Sequence, residues 1–231
     1  MITVRLAEDR GRADFGWLDS RHTFSFGSYY DPEHMGFSAL RVINDDKVAP
    51  GAGFDTHGHK DMEIISLVTE GEIEHKDSMG NVQRLPAGEF QLMSAGKGVF
   101  HSEYNASKEK PLRFLQIWIV PEQTGGKPGY QQKDFGRAPG LTPIVTPDGA
   151  NGTLQVKQQA SLFQLLLPPE GHHDMRLNPA RRYYVHMVTG QLRAGEHTLQ
   201  AGDGAAIEQH DSLSFVQQGG EQAMALIFEL P

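Results

Sequence analysis

Four residues with metal-binding side chains occur as two closely spaced pairs. His57 and His59 are one residue apart, and His101 and Glu103 repeat that spacing about forty residues later. In a β-strand, residues i and i+2 project from the same side. Two strands that each present such a pair can therefore bring three imidazoles and one carboxylate to a single ion. The spacing predicts a metal site built on two strands.

Glycine turns lead into both pairs. The first pair lies between Gly51 and Gly71, and Glu63 follows it, while the second pair follows the segment from Gly96 to Gly98. These blocks resemble the two metal-binding motifs of the cupin superfamily, G-x5-H-x-H-x3-E and P-x-G-x2-H-x3-N. The chain departs from the second motif at Gly96, which stands where the motif has proline.

The closer resemblance is to the pirin family of bicupins, and within it to bacterial pirin-like quercetin dioxygenases. It covers nearly the whole chain and is carried by residues 17–26, 36–46, 57–63 and 101–105. In that family three histidines and one glutamate hold the metal. The resemblance transfers these roles to the following residues: His57, His59, His101 and Glu103. It also implies that Glu63 lies outside the ligand set, because Glu103 takes the carboxylate role.

The resemblance implies an enzyme, a quercetin 2,3-dioxygenase that opens a flavonol ring with O2 and releases carbon monoxide. Glu103 would be the catalytic general base that takes the proton of the substrate hydroxyl. The expected partners are a small aromatic substrate and O2. The alternative is a non-enzymatic pirin-type regulator that binds a transcription factor or a metabolic enzyme. In that case the metal would be structural or would sense redox state.

The donor set bears on the metal. Three imidazoles and one carboxylate with open positions suit a redox-active divalent ion, whereas structural zinc sites are usually closed and rich in cysteine. We expect one divalent transition metal, iron(II), with manganese, nickel, cobalt, copper or zinc as alternatives. The alternative is that these four residues are unrelated and lie separately on the protein surface. The two matching pairs beside glycine turns favour a shared site instead.

Composition excludes several other functions. The 231 residues include 21 basic and 29 acidic side chains, which gives a formal charge of -8 without a basic cluster. A basic face is needed to neutralise phosphates, so no direct nucleic-acid partner is expected. The absence of cysteine excludes disulfides and thiolate ligands. With no long apolar run and a charged amino terminus, the sequence predicts a cytoplasmic protein without a membrane partner.

The chain is punctuated by 26 glycines and 13 prolines, with short apolar runs between them. This pattern predicts an all-β fold. Predicted strands cover residues 38–44, 64–68, 113–120, 182–188 and 223–230. The resemblance specifies a bicupin, two antiparallel β-barrel or jelly-roll domains packed side by side. The expected segments are an amino-terminal metal-binding domain at 1–125, a linker at 126–152 and a carboxyl-terminal domain without the motif at 153–231.

An internal repeat supports two similar domains. The segment from Glu70 to Glu89 has an echo from Thr189 to Asp203, each with a strand, a glycine turn and a return strand. The candidate ligands lie at fixed distances from the glycines of the first half, and the same distances can be counted from the matching glycines of the second half. The positions reached do not form the motif: Arg176, Asn178, Phe215 and Gln217. The second half is therefore predicted to lack a metal site.

The remaining histidines are predicted to have no ligand role. His75 is expected to be a solvated strand residue, and the adjacent His172 and His173 are expected to lie in a loop. Three others have no partner at ligand spacing: His186, His197 and His210. Six aromatic residues near the amino terminus could line a substrate pocket or belong to the core. They are Trp17, Phe24, Phe26, Tyr29, Tyr30 and Phe37.

Overall fold

The computed structural model describes residues 1–231 and is built almost entirely of β-strands. Its only helices are two 3-10 segments, Ala7–Asp9 and Ala150–Gly152. The first eleven strands are β1 Ile2–Arg5, β2 Gly11–Asp14, β3 Leu18–His22, β4 Leu40–Val48, β5 Gly53–His59, β6 Glu63–Glu70, β7 Glu72–Asp77, β8 Val82–Pro86, β9 Glu89–Ser94, β10 Val99–Asn105 and β11 Leu112–Ile119. The other eleven are β12 Gly129–Asp134, β13 Gly140–Thr146, β14 Leu154–Gln155, β15 Ser161–Leu167, β16 His172–Arg176, β17 Arg182–Thr189, β18 Gln191–Ala194, β19 His197–Gln200, β20 Gly204–Glu208, β21 Ser212–Gln218 and β22 Ala223–Leu230. The predicted all-β class is confirmed.

The apolar runs located the strands to within a few residues. The run at 223–230 coincides with β22, and the run at 64–68 lies inside β6. The first predicted strand begins later than expected, at Leu40 instead of Ser38. Ser38 has a φ of 52°, which is incompatible with extended backbone, and Phe37 pairs with Leu40 in a tight turn.

The chain folds into two compact units. The amino-terminal unit contains Gly11–Phe135 and Val156–Gln158, and the carboxyl-terminal unit contains Met1–Arg10, Gly136–Gln155 and Gln159–Pro231. These boundaries differ from the predicted segments at both ends of the amino-terminal unit. Strand β1 pairs with β20 of the carboxyl-terminal unit, and the segment expected to be a linker contains β12 and β13. Pairing between distant strands, which local composition does not report, sets the boundaries.

The amino-terminal unit contains two sheets. The seven-stranded sheet has the order β12-β9-β6-β11-β4-β3-β2, and the four-stranded sheet has the order β5-β10-β7-β8. Their strand pairs are antiparallel. Ile73 and Leu85 of the small sheet pack with Val68 and Phe114 of the large sheet in one buried cluster. The two sheets therefore pack face to face, and the small sheet presents β5 and β10 as neighbours.

The carboxyl-terminal unit repeats this arrangement. Its seven-stranded sheet has the order β1-β20-β17-β22-β15-β13-β14, and its four-stranded sheet has the order β16-β21-β18-β19. Leu192 and Phe215 of the small sheet pack with Val185 and Ile227 of the large sheet. In each unit the edge strand of the large sheet comes from a distant part of the chain. This strand is β12 beside β9 in the first unit and β1 beside β20 in the second. The repeat read from the sequence thus corresponds to two similar double-sheet units.

The strand register shows which residues of the second unit correspond to the candidate ligands, and they differ from those obtained by sequence counting. Glu103 lies opposite the fourth residue after Gly71, and Phe215 lies opposite the fourth residue after Gly190. The matching positions are therefore Met175, Leu177, Leu213 and Phe215, whereas sequence counting gave Arg176, Asn178, Phe215 and Gln217. The counts were wrong because the connecting loops differ in length. All four matching residues belong to the apolar core, so none offers the imidazole or carboxylate donor of the first unit.

No helix in the structure combines the length and the apolar character needed to cross a membrane. The cytoplasmic location, and the lack of nucleic-acid and membrane partners, stay predictions.

Candidate metal centre

Three histidines meet where β5 and β10 run side by side. His57 lies directly opposite His101 in the antiparallel register, and His59 projects from the same side of β5 as His57. The candidate donor atoms of these three residues all lie within 4.8 Å of one another. We call this group the imidazole cluster. The structure thus brings together three of the four residues that the spacing singled out.

The ring nitrogens of the cluster fit a bound cation. Nε2 of His57 and Nε2 of His101 are 3.0 Å apart, and Nε2 of His59 is buried without a hydrogen-bond partner. Nδ1 of His57 lies 2.7 Å from the carbonyl oxygen of Asp55, which can only accept, so this nitrogen donates. Its Nε2 therefore carries the lone pair. Two facing nitrogens and an orphaned third are satisfied together by one divalent ion, and the donor set suits a transition metal.

The electrostatics favour neutral imidazoles. Burial, together with a smaller contribution from the neighbouring His57, lowers the pKa of His59 to about 4. Burial lowers the pKa of His101 to about 2, with added contributions from the other cluster histidines. A metal ligand must be deprotonated at the donor atom. His59 and His101 therefore present lone pairs at neutral pH.

Glu103 lies two residues beyond His101 on β10 but is not part of the imidazole cluster. A register shift separates it from the His57 pairing, because three residues of β5 span two residues of β10 here, and Glu103 faces Phe54. Its side chain is buried and lines the same cavity as His57 and His59. Its role as the fourth ligand stays a prediction.

Two neighbours orient the Glu103 carboxylate. Nε2 of Gln116 donates to Oε2 of Glu103 at 2.9 Å, and Nε1 of Trp118 donates to Oε1 of Gln116 at 3.2 Å. Because an indole N–H can only donate, it fixes the orientation of the amide. Burial raises the pKa of Glu103 to about 7, the Gln116 hydrogen bond partly offsets the rise, and Asp46 adds to it.

A cavity of about 440 Å³ opens beside the cluster. Its size lies within the usual range for small-molecule sites. Of the six aromatic residues considered from the sequence, only Phe26 lines this cavity. Three further aromatic residues that the sequence did not single out also line it: Phe15, Phe54 and Trp118. The rings of Phe26 and Trp118 meet edge to face at 5.3 Å. The cavity wall therefore combines four phenylalanine and tryptophan rings with imidazole and other polar side chains.

A set of polar residues on the cavity wall was not identified from the sequence. Asn44 and Asp46 project from the same face of β4, and across the strand pair they lie opposite His22 and Ser20 of β3. All four are buried and line the cavity. An available signal was the i, i+2 spacing of Asn44 and Asp46 at the end of the apolar run in β4.

The prediction for His75 was wrong. This residue is fully buried, its Nε2 lies 2.9 Å from Nδ1 of His101, and its ring stacks on Tyr130 at 5.2 Å. Burial lowers its pKa. It shares the inner face of β7 with the buried Ile73, and that i, i+2 relation to an apolar residue could have revealed it.

Several other histidines, and Glu63, are not among the candidate donors of the cluster. His172 and His173 form the start of β16, so the predicted loop was wrong; His186 is buried in β17. Glu63 is buried, and its Oε2 accepts from the Ser94 hydroxyl at 2.8 Å and from the Lys157 amide at 3.2 Å. It ties chain segments together and does not line the cavity.

The paired double-sheet units and the imidazole cluster define the class of protein as a bicupin. The chain belongs to the pirin family: the profile described as Pirin matches residues 3–119. The profile described as the quercetinase C-terminal cupin domain matches residues 143–230.

Two relatives and one solved structure illustrate the similarity. The chain is 46% identical to a quercetin 2,3-dioxygenase of Escherichia coli K12, over 100% of this chain and 99% of that protein. It is 36% identical to the pirin-like protein YhaK of the same strain, with full coverage of both. The crystal structure of the bacterial pirin YhhW from Escherichia coli in complex with nickel(II) superposes with a TM-score of 0.96 and 45% identity, covering 100% and 99% of the two chains. Family and cluster together indicate a divalent metal in this protein.

Proposed function

We propose that this protein is a metal-dependent quercetin 2,3-dioxygenase, which opens a flavonol ring with O2 and releases carbon monoxide. The observation that carries the proposal is the imidazole cluster on the wall of an aromatic cavity of about 440 Å³. A flat polyphenol suits such walls, and an oxygen of the substrate could reach an ion held by the cluster. The name of the 46% identical relative supports the same activity.

For the metal we propose iron(II), held by His57, His59, His101 and Glu103. Imidazole and carboxylate donors suit iron but also manganese, nickel, cobalt, copper and zinc. When bound, the ion supplies the Lewis acidity and the redox capacity that the reaction of a flavonol with O2 needs. Metal analysis of the purified protein, followed by reconstitution with each ion, tests the choice. Iron(II) should restore the highest activity.

The surrounding residues have distinct roles in this proposal. Glu103, held by Gln116, accepts the proton of the substrate hydroxyl that approaches the cluster. Phe26 and Trp118 confine a planar ring, and the apolar lining excludes water from the reacting atoms. Gln116 and Trp118 position Glu103 through the hydrogen-bond chain described above.

The replacement Glu103→Gln tests the role of the carboxylate. The amide keeps a neutral oxygen but loses the basicity, so flavonol-dependent O2 uptake per bound metal should fall by roughly 10²- to 10⁴-fold. Metal content, measured by elemental analysis, should fall far less. Glu109→Gln alters an exposed carboxylate and serves as the control. Full activity of Glu103→Gln at full metal occupancy would make Glu103 a ligand only.

The alternative function is a regulator that binds a transcription factor or a metabolic enzyme. An assay of O2 uptake by the wild-type protein distinguishes it from the dioxygenase. If the protein reconstituted with each of the candidate ions shows no flavonol-dependent O2 uptake, the dioxygenase proposal is wrong. The metal would then serve a structural or sensing role in a protein complex.

A further inference from the structure

One wall of the cavity is polar without contributing to the imidazole cluster. Asn44 and Asp46 extend from β4 into the cavity and are 2% and 3% exposed. Successive residues of a strand face opposite ways, so the intervening Asp45 points to the other face of the sheet. Two buried polar side chains are thus presented side by side to whatever fills the cavity.

Both side chains hold an unsatisfied acceptor. Oδ1 of Asn44 and Oδ1 of Asp46 are buried without a hydrogen-bond partner. Ser20 hydrogen-bonds Asp46, so only part of that carboxyl is satisfied within the protein. A buried polar atom left unpaired is costly, and most such atoms in proteins have a partner. Two neighbouring acceptors in a cavity wall are therefore best explained by a ligand that brings donors.

The surroundings restrict what that ligand can be. The cavity is lined by rings, among them Phe26, Phe54 and Trp118, which favours a flat aromatic group. A metal ion in the cluster would repel a cationic ligand. A phenolic hydroxyl is a neutral donor carried on a flat ring, and it satisfies both conditions.

We propose that Asn44 and Asp46 form a subsite that accepts hydrogen bonds from phenolic hydroxyl groups of the substrate other than the one that approaches the metal. We call it the acceptor subsite. The inference deepens the proposed dioxygenase function and rests on it for the identity of the substrate. It makes the cavity selective for polyhydroxylated flavonols over flavonols that carry only the reacting hydroxyl.

The test uses two ligands that differ in these groups. Quercetin carries additional ring hydroxyls, and 3-hydroxyflavone carries only the reacting one. Each is titrated without oxygen into the metal-loaded wild type, Asn44→Leu and Asp46→Leu. Loss of one buried acceptor should weaken quercetin binding by roughly tenfold, while binding of 3-hydroxyflavone should stay unchanged. Lys47→Gln, which alters an exposed residue on the opposite face of the same strand, should alter neither.

Comparing the two ligands within each variant cancels general effects on folding or metal loading. If both ligands lose affinity equally, or if quercetin binds the wild type no better than 3-hydroxyflavone, the acceptor subsite is refuted. If one of the two leucine variants fails to fold, the other is still tested with quercetin and 3-hydroxyflavone. Because binding is measured without O2, a wild type that binds quercetin selectively but consumes no O2 would refute the dioxygenase activity and leave the subsite standing.

Discussion

At the scale of single residues, His75 is the buried partner of a candidate ligand. If a metal takes Nε2 of His101, the proton of that ring lies on Nδ1 and is donated to Nε2 of His75 at 2.9 Å. His75 must then carry its own proton on Nδ1, which is buried without a partner. Stacking on Tyr130 holds the ring in place. His75 therefore orients His101 through one hydrogen bond.

Replacing His75 should weaken metal binding without removing a ligand. We expect His75→Leu to lower metal affinity by roughly 10- to 100-fold, as is typical when a partner of a ligating histidine is lost. His75→Gln keeps a group that can accept the same hydrogen bond and should retain most of the affinity. Competition against a chelator measures both. Equal losses in the two variants would show that packing, not the hydrogen bond, is responsible.

Asp46 should make the stability of the metal-free protein depend on pH. Burial raises its pKa to about 7 from 3.8, the hydrogen bond from Ser20 offsets part of this, and Asp45 adds to it. The folded state therefore keeps a proton that the unfolded chain releases. The resulting stability is complete below about pH 4 and is lost as the pH rises through about 7, by at most about 4 kcal/mol.

The variant Asp46→Asn cannot titrate and should lack this dependence. Urea unfolding of the metal-free wild type and of the variant, at several pH values from 4 to 8, measures the difference in unfolding free energy. The wild type should lose stability relative to the variant as the pH rises. A difference that does not change with pH would contradict the prediction.

At the scale of elements, the turn between β9 and β10 positions His101. Gly96 has a φ of 49°, its carbonyl accepts from the Asp61 amide at 2.8 Å, and the next amide, of Lys97, donates to Gly126 at 2.7 Å. A Cβ at Gly96 would overlap the carbonyl oxygen of Gly126. The turn is thus held by backbone contacts on both sides.

Gly96→Ala should therefore destabilise the protein more than Gly80→Ala. Gly80 also has a positive φ, but a Cβ there meets nothing within 4 Å. In both variants the left-handed backbone conformation costs alanine about 1 to 2 kcal/mol of stability. Only Gly96→Ala must also displace neighbouring backbone. Denaturant unfolding measures stability, and metal titration should show weaker binding for Gly96→Ala alone. Equal effects at both positions would mean that the turn tolerates the displacement.

At the scale of the whole molecule, two similar units differ in chemistry. The strand order of the large and small sheets is repeated, but the positions that correspond to the candidate ligands hold Met175, Leu177, Leu213 and Phe215 in the second unit. Apolar side chains at these positions extend the core of that unit. One double-sheet scaffold thus carries the metal centre, and the other fills the equivalent space with packing.

We expect one metal ion per chain, located in the amino-terminal unit. The double replacement His57→Ala and His59→Ala should abolish binding because it removes two donors of the cluster. The matched double replacement His197→Ala and His210→Ala, in the other unit, should leave the content at one ion. Elemental analysis of both proteins decides. Stoichiometric metal in the first variant, or loss of metal in the second, would place the site elsewhere.

The sequence by itself determined the features that depend on local periodicity. The i, i+2 spacing put His57 with His59 and His101 with Glu103, because a strand alternates its side chains whatever its neighbours are. Short apolar runs between glycine and proline located β6, β11, β17 and β22, because such runs are typical of buried strands. The repeat predicted two similar units, and the pirin resemblance gave the family.

Only the tertiary structure decided which strands are neighbours. His75 is buried against His101 because β7 pairs with β10, and the polar wall forms because β3 pairs with β4. The edge strands β1 and β12 likewise join their sheets through pairings between residues far apart in the chain. The pairing of Glu103 with Phe54 instead of Asp55 arises from a bulge in the pairing of β5 with β10. Periodicity fixes the face on which a side chain lies, but the partner on that face is set by long-range register, which no local window of sequence contains.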